Sequence, residues 1–299
     1  MAAHPSQSVI PANGLEICHQ TFGRPEDPAL LLVMGFSAQM TAWPDDFCRG
    51  LADHGRFVIR FDNRDCGHSS KSSGPPPNVT GLMLEAGSSG PMTPGAAPYT
   101  LSDMAADAVG LLDSLGIERA HVVGASMGGM IVQHIGFEHP DRVHSVTSIM
   151  STTGHPAVGQ ASPEALGALL RPPPDGREAC IEQSVSTSRV ISGPLWLENE
   201  ARLRAARSYD RMYYPIGAAF QLAAIMVSGD RTERLADVQA PFLVIHGKAD
   251  PLIDVSGGLA TAEAVPNADL LVLHAMGHDL PRPLFPQLFG AIHGITERS

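Results

Sequence analysis

The chain has 299 residues, of which 43 % are hydrophobic and 17 % charged, the composition of a globular protein with a substantial core. Its 20 basic and 31 acidic residues leave a net charge of −11, and no basic stripe remains for a phosphate backbone or an anionic membrane. The longest apolar runs, such as Ala29–Met34, are far too short to span a bilayer, and residues 1–7 carry neither a basic nor an apolar signal region, which predicts a cytoplasmic address. Cys18, Cys48, Cys66 and Cys180 lack any Cys-x-x-Cys spacing, so they read as free thiols rather than zinc ligands or a disulfide framework.

Along the chain, short β-rich runs alternate with helical ones, the pattern of an α/β protein with a mostly parallel sheet covered on both faces. The strand candidates are Ala29–Met34, Phe57–Phe61, His121–Val123, Val143–Met150, Phe242–His246 and Leu270–Leu273. Between the second and third, residues 71–98 hold five glycines and six prolines and read as a loop excursion near the mouth of a site. The spacing of Leu101, Met104, Ala105, Ala108, Val109, Leu112 and Leu115 predicts a helix, with Thr100 or Ser102 as its N-cap and Gly116 as its stop.

That helix leads into Gly124-Ala125-Ser126-Met127-Gly128, a Gly-x-Ser-x-Gly run between an apolar strand and a helical pattern. Such a run suits a tight strand-to-helix turn that presents a serine at its apex, because only small residues fit where the backbone doubles back. The N-terminus of the following helix directs amides and dipole at negative charge beside the serine oxygen. Ser126 is therefore the candidate nucleophile.

Residues 151–236 read as helices only, with a capped start at Ser162-Pro163-Glu164, a break at Pro172-Pro173-Pro174 and an amphipathic stretch from Leu195 to Arg211. A helical block between two sheet strands predicts a cap over a core formed by 1–150 and 237–299.

A serine hydroxyl needs a base, and the base a group to orient it. Asp250 follows the strand ending at His246, and His278 follows the next strand. In a parallel sheet these loops share one edge with Ser126. Asp254 is the alternative carboxylate. His274 reads as the last residue of its strand, and His274-x-x-x-His278 lacks the helix and the further ligands that a metal would need, so neither metal nor cofactor is expected. The amide of Met127 and, after the first core strand, that of Phe36 are the candidate oxyanion donors, with Met34 where the common His-Gly form has histidine.

These motifs, together with Asp62-Asn63-Arg64-Asp65-Cys66-Gly67-His68-Ser69, His246-Gly247-Lys248-Ala249-Asp250 and Gly277-His278, closely resemble those of the α/β-hydrolase superfamily. Within it, Leu30–Gly35, Trp43-Pro44-Asp45 and Arg60-Phe61-Asp62 are most similar to the esterases that include the anthracycline (aclacinomycin) methyl esterases. They share Met-Gly in place of His-Gly, and a non-glycine residue where Asp65 stands.

The resemblance implies an α/β-hydrolase fold with an inserted helical cap, and ester hydrolysis through an acyl-serine. The expected substrates are small-alcohol esters, methyl esters among them, and the candidates for the acyl pocket are Phe36, Trp196, Tyr209, Met212, Tyr213 and Met226. C–C bond hydrolases and perhydrolase-type haloperoxidases use the same residues, and a small-molecule receptor on this fold is a further alternative. Dehalogenases and epoxide hydrolases are disfavoured because they carry aspartate at the Ser126 position.

Overall fold

The computed structural model describes residues 6–86 and 95–298. Its strands are β1 (Ser8–Ala12), β2 (Leu15–Phe22), β3 (Ala29–Val33), β4 (Phe57–Phe61), β5 (Ala120–Ala125), β6 (Val143–Ile149), β7 (Phe242–Gly247) and β8 (Asp269–Leu273). Among the described residues they form one sheet in the order β1-β2-β4-β3-β5-β6-β7-β8. The pairings from β4 through β8 are parallel, and only β1 with β2 and β2 with β4 run antiparallel. Every residue of β3, β5 and β7 is buried, as expected of central strands covered on both faces.

The β1–β2 hairpin is absent from the strands expected of the sequence. Its turn is Asn13-Gly14, two residues with φ of 47° and 74°, the pair that a twisted two-residue hairpin requires. Elsewhere the local chemistry matches expectation. Thr100 and Asp103 form a reciprocal capping box at the start of the helix Leu101–Ser114. The Ser162 side chain caps Pro163–Leu169 by accepting from the Ala165 amide.

Two apolar cores lie on opposite faces of the sheet. One joins Leu31, Val122 and Val146 to the helices Leu101–Ser114 and Met127–Glu138. The other joins Leu32, Val123 and Ile245 to Asp45–Asp53 and Phe285–Thr296. Between β6 and β7 lie the helices Pro163–Leu169, Arg177–Ile191, Glu198–Arg211 and Gly217–Ser228, followed by the short Thr232–Leu235.

The stretch 71–98 is not loop throughout. Val79–Ala86 is a helix that starts where the Asn78 side chain accepts the Gly81 amide at 3.0 Å, and its Leu82 is buried. Asn78 supplies a cap that the surrounding glycines and prolines obscure. Residues 87–94 lie outside the described part of the chain. No helix among the described residues is long and apolar enough to cross a membrane.

Candidate active site

Ser126 sits between β5 and Met127–Glu138 at φ 57°, ψ −121°, a conformation rare for a residue with a side chain. Its amide donates to the Ile149 carbonyl at 2.9 Å, and its own carbonyl accepts from the Ser151 hydroxyl at 2.9 Å. A Cβ at Gly128 would stand 2.0 Å from the Val33 carbonyl oxygen, which is why the turn needs glycine there.

The loops after β7 and β8 are stitched together, the Lys248 amide donating to the Leu273 carbonyl and the Ala249 amide to the Met276 carbonyl. Across this junction the Nδ1 of His278 lies 2.8 Å from Oδ2 of Asp250, and its Nε2 lies 2.9 Å from the Ser126 hydroxyl oxygen. The structure thus brings Ser126, His278 and Asp250 into one hydrogen-bonded line. The Asp250 carboxylate is fully buried, and its Oδ1 accepts the amides of Leu252 and Ile253, each at 2.9 Å. Those bonds fix the carboxylate and leave Oδ2 for the imidazole.

Asp254, the alternative acid, instead caps the helix Val255–Ala264, and its hydrogen bond from Ser256 holds its carboxyl below the usual range. His274 is an exposed turn residue just beyond β8 rather than its last member. Within the described residues no group of three or more His, Cys, Asp or Glu side chains is arranged to hold a metal. The four cysteines are free, and burial pushes the thiols of Cys48 and Cys66 up to about 12.

Ser126 and His278 open into a cavity of about 860 Å³. Phe36 and Met127 line it beside Ser126, and Met127, as the first helical residue, has no acceptor for its N–H within its own helix. Tyr209, Met212 and Tyr213 also line the cavity, the two tyrosine rings stacked with centroids 4.5 Å apart.

Trp196 and Met226 are not brought to the cavity wall. Trp196 packs on Ile181, Val185 and Ala205 and donates its indole N–H to the Ser188 hydroxyl at 3.0 Å. On the helix Gly217–Ser228 the cavity wall is formed by Ala218, Ala219, Leu222 and Ile225, and Met226, near the end of the helix, is not part of it. Nor is the wall purely apolar, since Arg204 and Asp279 belong to it. Surrounding protein disfavours both charges, lowering the Arg204 guanidinium and raising the Asp279 carboxyl from their ordinary values.

Several residues around the site escaped the sequence reading. The Asp65 side chain accepts the Ser72 amide at 2.6 Å, the Ser72 hydroxyl at 2.7 Å and the Tyr99 hydroxyl at 2.8 Å, which offsets its φ of 62°. The His278 amide donates to the carbonyl of Ile191, the last residue of its helix, at 2.8 Å. Gln221, fully buried, takes the Ser37 amide at 2.7 Å and gives a hydrogen bond to the Arg64 carbonyl at 2.8 Å. Residues joining elements so distant in the chain leave no local periodicity. The one available signal was the polar Gln221 inside the apolar run Gly217–Val227.

A family model described as the alpha/beta hydrolase fold matches residues 28–184. The rhodomycin D methylesterase DauP of Streptomyces sp. strain C5 is 28 % identical over 308 residues, covering 95 % of this chain and 96 % of that protein. The rhodomycin D methylesterase DnrP of Streptomyces peucetius is likewise 28 % identical, over 90 % of this chain and 91 % of that one. Among solved structures, the enol-lactonase of Burkholderia xenovorans LB400 superposes with a TM-score of 0.73 at 20 % identity, covering 97 % of this chain and all of its own. The 2-hydroxy-6-oxo-6-phenylhexa-2,4-dienoate hydrolase of Rhodococcus sp. strain RHA1 gives 0.73 at 20 % identity over 99 % of both chains. With more than half its length matched by the family model and its parallel sheet ordered as described, the chain belongs to the α/β-hydrolase fold family.

Proposed function

We propose that the protein is a cofactor-free serine carboxylesterase that hydrolyses small-alcohol esters, methyl esters among them, through an acyl-serine. The observation that carries this reading is the line Ser126–His278–Asp250, with links of 2.9 Å and 2.8 Å at the wall of a large cavity. The similarity over nearly the whole chain to two methylesterases supports the ester as substrate.

In this reading the neutral His278 accepts the Ser126 proton at Nε2 as the serine oxygen attacks the ester carbonyl. Asp250 holds Nδ1–H toward itself and stabilises the imidazolium without taking its proton. The carbonyl oxygen becomes an oxyanion facing the amides of Phe36 and Met127. Collapse expels the alcohol, which takes the proton from His278. Water then repeats the sequence on the acyl-serine, releasing the carboxylic acid and restoring Ser126. The helical block 151–236 acts as the cap, and Phe36, Tyr209, Met212 and Tyr213 contact the acyl portion.

A panel of p-nitrophenyl acetate and butyrate, a vinylogous diketone and a peroxide-dependent bromination assay tests the reading. Turnover of the esters at about 1 s⁻¹ or more, with the other two substrates far slower, is the expected result. Preferential cleavage of the diketone favours a C–C bond hydrolase, and about one ester turnover per protein or fewer favours a receptor.

A further inference from the structure

The Gly35-Phe36-Ser37 turn that carries one of the two oxyanion donors is held from outside by a closed ring of bonds. On one side, the buried Asn63 side chain donates to the Met34 carbonyl at 2.8 Å. On the other, the Oε1 of Gln221 accepts the Ser37 amide at 2.7 Å, while its Nε2 donates to the carbonyl of Arg64, the neighbour of Asn63, at 2.8 Å. The Phe36 amide lies between the two anchored positions. Ser37 itself is at φ 55°, a conformation that its own backbone does not favour and that its surroundings must maintain.

Gln221 belongs neither to this turn nor to the sheet. It lies on Gly217–Ser228, between β6 and β7, and Ala218, Leu222 and Ile225 of the same helix face the cavity. The start of that helix presses on the loop after β4, where a Cβ at Gly217 would stand 2.0 Å from the Asp65 carbonyl oxygen. The helix therefore closes the cavity and anchors the donor turn with one docking geometry.

We propose that Gln221 is a positioning residue of the oxyanion hole, so that the Phe36 amide is aimed at the reacting carbonyl only while the helix Gly217–Ser228 is docked on the core. This rests on the acyl-serine reading of Ser126. Only a bond acceptor for Ser37 N–H does the positioning. The donation to Arg64 keeps the glutamine amide oriented, as a supporting hydrogen bond does around a preorganised site.

The test compares Gln221→Leu, which has no acceptor, with Gln221→Glu, which keeps one. Each is measured for kcat and KM on p-nitrophenyl butyrate, inhibition by an alkyl trifluoromethyl ketone, and thermal midpoint. The hemiketal formed by the ketone on Ser126 bears an oxyanion and reports the hole directly. Gln221→Leu is expected to lower kcat by about 10²-fold, to weaken the ketone by a similar factor, and to leave KM within about threefold. Gln221→Glu is expected to recover at least about tenfold of the lost kcat. If leucine prevents folding, Gln221→Met takes its place in the same comparison.

The inference is overturned if kcat and ketone affinity stay within about threefold of the parent, or if the apolar and glutamate variants are equally impaired. Ser126→Ala is measured beside them. An active Ser126→Ala overturns the acyl-serine reading itself, whereas an inactive one beside an unimpaired Gln221→Leu overturns only the role of Gln221.

Discussion

The guanidinium of Arg211 reaches from the end of the helix Glu198–Arg211 to Asp62, in the loop after β4, with Nη2 2.7 Å from Oδ2. The carboxylate is fully buried and the arginine nearly so. Asp62 also accepts the amides of Met40 at 2.8 Å and His68 at 2.9 Å, and Arg211 donates further to Oε1 of Gln39 at 2.6 Å and of Gln7 at 2.9 Å. This is the one described ion pair in which the block 151–236 supplies a buried charge to the core. Removing one partner of such a pair strands the other without compensation, at a cost of roughly 3–5 kcal/mol.

Arg211→Met is therefore expected to lower the urea midpoint markedly, and Arg211→Met with Asp62→Asn to recover part of the loss. Measuring both by urea unfolding checks the coupling. Equal midpoints for the single and double variants would show that the stranded charge is not what costs stability.

Asp250 and Asp254 separate by function. Asp250→Asn is expected to cost catalysis heavily, because the asparagine amide favours the wrong imidazole tautomer, with about a 10⁴-fold drop in kcat as the upper scale. Asp254→Asn keeps a capping acceptor for the Ser256 amide at the start of Val255–Ala264, asparagine capping about as well as aspartate, and is expected to leave both stability and kcat little changed. Steady-state kinetics beside thermal melts distinguish the two, and a larger kcat loss at Asp254 would reverse the assignment.

How much was legible follows from where each residue sits. Ser126, Asp250 and His278 lie just after strands, and a parallel sheet brings the loops after its strands to one edge whatever lies between them, so their convergence could be read without any tertiary information. The β1–β2 hairpin was signalled only at its turn, by Asn13-Gly14, because neither β1 nor the eight-residue β2 shows a clear apolar or alternating pattern. Trp196 and Met226 were not correctly readable as pocket residues. Composition marks them as large and apolar, but which side chains reach the cavity depends on how the segments dock on the core, through long-range bonds such as Gln221–Ser37 and Gln39–Met212. The charged side chains Arg204 and Asp279 in the cavity wall escaped notice for the same reason.

That correction makes the acyl pocket testable. Leu222→Ala, on the cavity face, is expected to shift the acyl-length preference toward bulkier acids, at a scale of about 1–3 kcal/mol per methylene. Trp196→Ala is expected to leave the chain-length profile unchanged and to lower the melting temperature by emptying the small cluster around Ile181 and Val185. A profile shifted by Trp196→Ala and not by Leu222→Ala would place the acyl group elsewhere.

Acid stability is set partly at the far end of the sheet. Burial, with Arg56 and His144 adding repulsion, lowers His121 to about 4, and its Nδ1 pairs with the Ser145 hydroxyl at 2.9 Å. The unfolded chain takes up this proton near pH 6.5 and the folded one only near 4. Stability is therefore complete above pH 6.5 and falls by about 3 kcal/mol on the way down to pH 4 from this group alone. Burial lowers His19, His134 and His246 in the same direction. The urea midpoint of His121→Gln should decline less steeply than the parent's between pH 7 and 4. Parallel declines would remove His121 as a source of the acid sensitivity.

Acylation of Ser126 is tested by kcat for p-nitrophenyl butyrate in Ser126→Ala, with circular dichroism to establish that the fold is retained. A loss of about 10³-fold or more is expected, the residual rate coming from the oxyanion donors and the cavity. A folded Ser126→Ala protein that keeps more than about a tenth of the parent kcat would contradict acylation of Ser126.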